Sequence, residues 1–253
     1  MQKIYEETNI QAIADAIRAK NGTTTTYKVS EMANAIQSIE SGGSGFWDEN
    51  FVKAFIQRDN TITSIVLPDG ITQIGGYAFG GCSYLNIDAL PNTIQTIQEG
   101  AFQGCTRLAL TSLPENMRTI FGSAFRYCEN LALASLPSNI TSIGMSCFQG
   151  CKNLTLTSLP EGIKRIEDYA FYGCTNITLT TIPKGVTYVG NFAFGGCTGL
   201  TSITFNGTPT TLNVNAFKSC TNLTNIYVPW AEGAVSGAPW GATNATIHYN
   251  STV

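Results

Sequence analysis

The chain contains 253 residues, of which 43% are hydrophobic and only 12% charged, and its formal net charge is −3. Lysine and arginine form no cluster, which argues against binding to nucleic acid or to an acidic membrane, since both need a basic surface. No apolar run reaches the ~18 residues of a membrane span, so we expect no membrane insertion. No secretory signal is visible at the N-terminus, so the chain is either made in the cytoplasm or has lost a leader.

Residues 1–40 are predicted to form a helical attachment module. Apolar residues recur at helical spacing in two segments: Ile10, Ile13, Ala14 and Ile17, then Met32, Ala35, Ile36 and Ile39. A segment of this size with so few large apolar side chains can hardly form a core alone. Its apolar stripes therefore need a partner, and three are open: a second copy of the chain, giving a homo-oligomer, a larger assembly, or the repeats that follow.

The next two segments are predicted to be a flexible linker and a cap. Residues 41–45 contain only glycine and serine, which leave the backbone unrestricted. Residues 46–60 are predicted to form an N-terminal capping helix, with Asp48 as its cap residue. This helix would cover the open end of the repeats, where core and strand edges are otherwise exposed.

A 23-residue unit repeats from about residue 61 to 229 without insertion or deletion. A period this strict is typical of a solenoid, because one unit cannot bury its apolar face without a neighbour on each side. Seven coils are predicted from two columns of residues: Phe79, Phe102, Phe125, Phe148, Phe171, Phe194 and Phe217, and Cys82, Cys105, Cys128, Cys151, Cys174, Cys197 and Cys220.

The apolar pattern before each proline differs between coils. The last two coils follow the pattern seen from Leu200 to Phe205, whereas the middle five follow the pattern seen from Leu154 to Leu159. In the middle coils one inward residue has moved by one place. Because strand side chains alternate between faces, the five middle coils should share a bulge or an altered strand start.

The eight cysteines are predicted to be free, buried thiols. Eight cysteines in one chain could instead form disulfides or bind a metal ion. Equivalent side chains of successive coils point in parallel, which disfavours disulfides, and a single histidine without a C-x-x-C pair disfavours metal. Cys147 lies outside the column, at a position where other coils carry alanine, and should be a small buried side chain. We expect no metal and no cofactor.

The proline, Ala-Phe and cysteine positions together resemble the BspA-like bacterial leucine-rich repeat family over residues 61 to about 229. The resemblance implies an α/β-type, right-handed curved solenoid with a parallel sheet on its concave side. Known members are mostly bacterial surface proteins that bind host proteins or other cells, and the family fixes no catalytic residues. Residues 230–253 look like the end of such proteins and are predicted to be a C-terminal cap, with Trp230 and Trp240 over the last coil. Residues 10–39 are similar to N-terminal modules of phage and prophage structural proteins.

No arrangement of residues typical of an enzyme is found in the sequence. His248 is the only histidine, and a catalytic relay would have to use it from the rim of the cap. The adjacent carboxylates Glu167 and Asp168 are interpreted as surface turn charges rather than an acid/base pair. We therefore predict a protein that is not an enzyme.

Four aromatic residues are the candidate partner-binding residues. Phe121 and Tyr127 replace glycines of other coils within one coil, and Tyr84 and Tyr172 lie near them in the array. Exposed aromatic residues are enriched at binding hot spots, although drift at turn positions explains them equally well. The second candidate surface is a smooth ladder of small residues on the predicted strands, including Thr111, Ala134, Thr157 and Thr180, which suits an extended partner but is also what stacked strands favour.

Two functions follow from these expectations. The first is a binding or structural protein of a phage or prophage particle, with the solenoid as a module that recognises a protein or a cell surface. The alternative is a bacterial cell-surface adhesin of the same repeat type that binds host proteins. The two differ in location, on a virion or on an extracellular surface, and share the absence of catalysis.

Overall fold

The computed structural model describes residues 63–65, 67 and 70–251. The predicted helical module (1–40), linker (41–45) and capping helix (46–60) lie outside these residues. The described chain forms a parallel β-solenoid of about eight turns with a repeat of ~23 residues. Its strands are β1 Gln73–Ile74, β2 Thr96–Ile97, β3 Thr119–Ile120, β4 Ser142–Ile143, β5 Arg165–Ile166, β6 Thr181–Ile182, β7 Tyr188–Val189, β8 Ser202–Phe205, β9 Thr211–Leu212, β10 Asn225–Tyr227 and β11 Thr246–His248.

One row of two-residue strands runs along the whole solenoid. Each strand has an inward Ile, Val or Leu and an outward residue, as Ile74 and Gln73 show in β1. The strands pair in parallel one repeat apart, so that Gln73 faces Thr96. The hydrogen-bonded row is divided into two sheets, β1-β2-β3 and β4-β5-β7-β9. The division lies between β3 and β4, and Phe121 is the residue that directly follows β3 in the chain.

A second sheet, β11-β10-β8-β6, covers the C-terminal part of the solenoid. Its strands occupy the segment before the proline in the last coils, where β8 has four residues. In the middle coils this segment forms no regular strand within the described residues until β6, which has two. There, coils are joined by isolated bonds such as Thr155 N–H to the Leu133 carbonyl, 3.2 Å. Four of the five middle coils thus lack a regular strand here within the described residues, and the fifth keeps β6. A bulge or altered strand start shared by all five remains a prediction.

The phenylalanine column forms a continuous part of the core. All seven rings are buried. Successive rings are stacked with centroids 5.1 to 5.7 Å apart and planes within 10° of parallel. Each coil therefore depends on its neighbours, because the faces of its phenylalanine ring are covered only by the next rings in the stack.

All eight cysteines are free and buried, which confirms the prediction of unpaired thiols. They do more than fill space, because six of them donate a hydrogen bond to the phenylalanine carbonyl of the preceding coil. In the fourth coil, Cys151 Sγ lies 3.0 Å from the Phe125 oxygen. The same carbonyl accepts the Cys128 N–H, so the thiol occupies its second acceptor position.

An additional turn follows the seven predicted coils. Strand β11 pairs in parallel with β10, but Thr246 faces Asn225 and is only 21 positions later. Trp230 and Trp240 are buried, with ring centroids 6.1 Å apart, and the Trp240 carbonyl accepts the Phe217 N–H. The segment after the seventh coil thus continues the stacking of the repeat without its phenylalanine and cysteine, and two buried tryptophans lie in its interior. The division of the chain into domains remains a prediction.

Candidate functional site

The exposed apolar side chains of the described residues lie on one side of the solenoid. We call this side the aromatic flank: residues 75–84 of the first coil, which follow strand β1, and their equivalents at 23-residue intervals. All seven large hydrophobic side chains that are exposed in the described part of the chain belong to it: Tyr77, Tyr84, Phe121, Tyr127, Met145, Tyr172 and Val214. Concentration of apolar side chains on one side is the usual mark of an interaction surface.

Tight turns build the flank and hold several of its residues in the left-handed backbone region. Tyr127 has φ of 59° at a position where five other coils carry glycine. This conformation costs an L-residue about 1–2 kcal/mol relative to the right-handed one. Tyr77 and Tyr169 are held in the same region with φ of 54° and 57°. Ser123 and Ser146 adopt the same conformation at the position of Tyr77, so the turn of the repeat imposes it.

Phe121 and Met145 form an apolar corner at the division between the two strand sheets. They are 44% and 59% exposed. Their backbones run in contact, since the Ser123 N–H donates to the Met145 carbonyl, 2.8 Å. The approach requires glycine, because a Cβ on Gly144 would lie 2.7 Å from the Gly122 nitrogen. The exposed side chains of Phe121 and Met145 thus lie beside backbone that carries no side chain, at Gly122 and Gly144.

The Tyr127 ring lies across the next coil at the other end of the same turn. A Cβ on Gly150 would be only 2.5 Å from its Cδ1. The Tyr127 hydroxyl accepts hydrogen bonds from Arg126 at 3.1 Å and from Gln149 at 3.3 Å. The Arg126 guanidinium carbon is 4.8 Å from the ring centroid. The ring is therefore fixed in place while remaining 42% exposed.

Tyr172 belongs to an aromatic cluster two coils further on. Its ring meets Tyr169 and Phe192 edge-on, with centroids 5.8 and 6.1 Å apart. Tyr169 and Phe192 are stacked on each other at 5.4 Å. The Tyr172 Cδ2 lies 2.9 Å from where a Cβ on Gly195 would stand. Edge-to-face packing of this kind favours a single orientation of the exposed ring.

Tyr84 lies at the far corner of the flank, where the Arg107 guanidinium covers its ring at 4.4 Å from the centroid. No contact joins the four predicted residues to one another within the described part of the chain. They share a side of the solenoid without forming one pocket. Their role in binding remains a prediction.

Three exposed flank residues, Tyr77, Met145 and Val214, were not among the predicted ones. Met145 stands where other coils carry Gly76 and Gly122, so it departs from the repeat in the way that Phe121 does. Comparing the coils position by position would therefore have identified Met145. Tyr77 shares its position with Tyr169 and Phe192, so the same comparison would not have singled it out.

The second candidate surface, the ladder of small residues, is exposed as expected. Thr111, Ala134, Thr157 and Thr180 are all exposed. At the C-terminal end of this face the His248 ring stacks on Tyr227 at 4.4 Å, and His248 Nε2 is 2.9 Å from Asn225 Oδ1. The His248 ring is thus held by a hydrogen bond and by ring stacking.

The adjacent carboxylates also have structural partners. Glu167 pairs with Arg165 at 2.6 Å. Asp168 Oδ1 accepts hydrogen bonds from the Asn191 N–H at 2.8 Å and the Tyr188 hydroxyl at 3.2 Å. Burial, followed by the charge of Asp168, raises the pKa of Tyr188. Over the described residues, no group of three or more His, Cys, Asp or Glu could hold a metal ion, and no helix in this part of the chain has the length and apolarity to cross a membrane.

The 23-residue coils match a known repeat family. Six copies of the BspA type leucine-rich repeat region match residues 52–178 and 141–231. The chain belongs to the BspA-type leucine-rich repeat family. The resemblance inferred from the proline, Ala-Phe and cysteine positions is therefore confirmed. The family match begins at residue 52 and lends no support to the resemblance of residues 10–39 to phage modules.

Several solved leucine-rich repeat structures are similar to this chain. A leucine-rich cell surface protein from Faecalibacterium prausnitzii is 25% identical with a TM-score of 0.56, and covers 70% of this chain and 57% of its own. A leucine-rich repeat protein from T. pallidum is 30% identical with a TM-score of 0.52, and covers 64% of this chain and 78% of its own.

A third structure supports the fold alone. A leucine-rich repeat protein from Bacteroides ovatus is 23% identical with a TM-score of 0.52, over 77% of this chain and 63% of its own. The chain thus spans only about 57% of the length of the Faecalibacterium protein. No curated protein matches the chain significantly.

Proposed function

We propose that the chain is a bacterial surface-type leucine-rich repeat protein that binds a protein ligand without catalysis, and that the aromatic flank is its recognition surface. The main support for the proposal is that all the large apolar side chains exposed in the described residues lie on that flank. The family is typically non-enzymatic, and one similar structure is described as a cell surface protein. The same comparison supports our proposal of an extracellular surface location.

The Phe121–Met145 corner is the proposed centre of the site. Its two exposed apolar side chains lie beside glycine backbone. They offer a binding partner an apolar surface from which water is removed at little cost in free energy. The surrounding contacts would come from three tyrosines whose rings are held in place. A cation holds Tyr84, hydrogen bonds hold Tyr127, and neighbouring rings hold Tyr172. Such anchored aromatic side chains lose little entropy on binding.

The experiment uses the repeat as its own source of control residues. In the double variant Phe121→Gly/Met145→Gly, both residues become the glycine that other coils carry there, so the fold should be kept. The full chain is immobilised and tested by biolayer interferometry against a panel of purified extracellular matrix and plasma proteins. The proposal expects saturable binding of at least one protein, weakened at least about tenfold by the double variant. Absence of binding throughout, or equal binding by the variant, would contradict it.

The phage or prophage particle remains a second hypothesis, which rests only on residues 10–39 and so on a part of the chain outside the described residues. Detection of the chain in purified virions from its source bacterium would favour it. Light scattering on the full chain tests the related proposal of a homo-oligomer through residues 1–40. A dimer or trimer supports an assembly role for that segment, and a monomer opposes self-association.

A further inference from the structure

We infer that Met145 is an oxidation-sensitive switch of the aromatic flank: peroxide converts its thioether to the sulfoxide, and the Phe121–Met145 corner then loses its apolar character. This inference rests on the proposed function, because it names a modification that regulates the same surface. Three observations support it. They are the exposure of Met145, the burial of the other sulfur atoms in the described residues, and the polar side chains that other coils carry at this turn position.

Met145 is the most exposed large hydrophobic residue of the described chain. Its exposed fraction is 59%, compared with 44% for Phe121. The neighbouring residue of the preceding coil is Gly122, which has no side chain to cover it: a Cβ there would lie 3.9 Å from the Met145 Cβ. Because oxidation of a thioether requires contact between the oxidant and the sulfur, an exposed methionine is the one that reacts.

The other sulfur atoms of the described residues are shielded. All eight cysteines are buried, and Met117 is fully buried at a core position that Ile94 and Ile140 occupy in neighbouring coils. Burial also raises the pKa of the thiols, that of Cys147 for example, which suppresses the thiolate that reacts with peroxide. Among the described residues, Met145 is therefore the sulfur that an oxidant meets first.

The reaction needs a two-electron oxidant, for which hydrogen peroxide is the probe. A lone pair of the Met145 sulfur attacks one peroxide oxygen, the O–O bond breaks and an S–O bond forms. The second oxygen leaves as water after proton transfer, so the sulfur loses two electrons and the peroxide gains two. The product is polar and accepts hydrogen bonds, whereas the thioether is nearly apolar. Methionine sulfoxide reductases reverse the reaction with electrons from a dithiol, and the oxygen leaves as water.

The fold should tolerate the sulfoxide, because polar side chains occupy this turn position in other coils. The equivalent residues include Glu99, Asp168 and Asn191. Oxidation of Met145 therefore changes the surface and leaves the core intact, unlike oxidation of the buried Met117. A protein that covers the corner would have to remove water from the sulfoxide, and its binding weakens unless it supplies a hydrogen-bond donor.

Peptide mapping after brief peroxide treatment of the native full chain tests the selectivity. Tryptic cleavage places Met145 in residues 127–152 and Met117 in residues 108–118, so the two sulfoxides are measured separately. We expect the Met145 sulfoxide to accumulate at least about tenfold faster than the Met117 sulfoxide or any oxidised thiol. Equal rates, or faster oxidation of the thiols, would overturn the inference.

Retention on a phenyl resin measures the apolar character of the corner without a partner protein. The peroxide-treated chain should elute earlier than the untreated chain, and treatment with methionine sulfoxide reductases A and B should restore its retention. Met145→Leu keeps an apolar side chain without sulfur, so peroxide should shift its retention less. Met117→Leu is the matched control, in which the full shift should persist. No shift in the natural chain, or an equal shift in Met145→Leu, would contradict the switch.

Binding of a partner protein tests the regulation itself, after peroxide has been removed by desalting. For a panel protein that the natural chain binds, oxidation should weaken binding about tenfold, whereas peroxide should not change the binding by Met145→Leu. Undiminished binding by the oxidised chain would exclude the switch and leave the protein-binding proposal in place. If no panel protein binds, the protein-binding proposal fails, and the inference is decided by the peptide map and the resin. Thermal melts before and after peroxide should coincide, which verifies that the fold is kept.

Discussion

The Cys151 thiol donates a hydrogen bond to the Phe125 carbonyl oxygen, 3.0 Å away in the preceding coil. The same relationship, between a cysteine and the phenylalanine 26 positions before it, recurs in five further coils. The two most regular columns of the sequence are therefore linked to each other across coils. This explains why a side chain smaller than leucine, yet able to donate, suits the position.

We expect Cys151→Ala to lower the free energy of unfolding by about 1–2 kcal/mol, because it removes a buried donor and leaves a small cavity. Cys147→Ala is the matched control. Cys147 is equally buried but stands where the other coils carry alanine, so its loss should cost less than about 0.5 kcal/mol. Urea denaturation of both variants measures the difference. Equal costs would show that the thiol-to-carbonyl bond contributes nothing.

The thiols should be unreactive in the native protein. Burial, reinforced by neighbouring thiols, raises the pKa of Cys128, Cys147 and Cys174 well above the ordinary value, and only a thiolate attacks a disulfide reagent. We expect Ellman's reagent to detect no thiol at pH 8 in the folded chain and all eight after denaturation. Rapid native labelling of several thiols would mean that the coils are not closed around their cysteine column.

Stability should fall as the solution becomes alkaline. The thiol pKa is raised from its ordinary value of 9.0 in the native protein, to about 12 for Cys220, whose burial is the largest cause. Above pH 9 the unfolded state loses these protons and the native state keeps them, so unfolding becomes more favourable. Each such thiol adds a slope of up to about 1.4 kcal/mol per pH unit.

Urea midpoints at pH 8 and pH 10.5 test this expectation, with the midpoint lower at the higher pH. Cys147→Ala removes one raised pKa, so its decline should be shallower than that of the natural chain. An identical decline in the two proteins would assign the alkaline effect to groups other than the buried thiols.

The contact between Tyr127 and Gly150 should appear in a double-mutant cycle. Gly150→Ala places a Cβ 2.5 Å from the Tyr127 ring at φ of +74°, whereas Gly173→Ala has a similar φ of +72° and meets only the Gly150 backbone, with its Cα at 3.9 Å. Both should cost about 1–2 kcal/mol for the backbone, and Gly150→Ala about 1 kcal/mol more for displacing the ring.

In the Tyr127→Gly background the extra cost of Gly150→Ala should vanish, while that of Gly173→Ala should not change. Thermal or urea unfolding of the three single variants and the two double variants measures the coupling. A persistent difference between the two alanine variants would mean that the ring does not lie on Gly150.

The sequence was sufficient to predict the solenoid, its period and its core, because residues such as Phe79 and Cys82 recur at a fixed interval that requires stacking. The thiol-to-carbonyl bonds could not be predicted, since they depend on how two coils are offset by a few ångströms. The division of the strand row between β3 and β4 could not be predicted either, because no periodic pattern encodes where equivalent strands stop pairing.

The candidate site was predicted in part. Departure from the repeat identified Phe121 and Tyr127, and the same comparison applied to every position would have added Met145. The orientation of the rings was not accessible, because a tyrosine at a turn can extend into solvent or lie on the next coil. Only the backbone positions of Gly100 and Gly150 decide between these alternatives.

Two surfaces of the solenoid compete for the role of recognition surface, and we propose the aromatic flank rather than the ladder of small residues. The sharpest test compares the dissociation constants of Phe121→Gly/Met145→Gly and of Thr157→Glu/Thr180→Glu for a protein that the natural chain binds. Both glutamate positions are exposed, so the fold should tolerate them. We predict that the flank variant binds at least about tenfold more weakly and that the ladder variant binds as the natural chain does. Loss of binding in the ladder variant alone would place recognition on the ladder and contradict the proposed role of the flank.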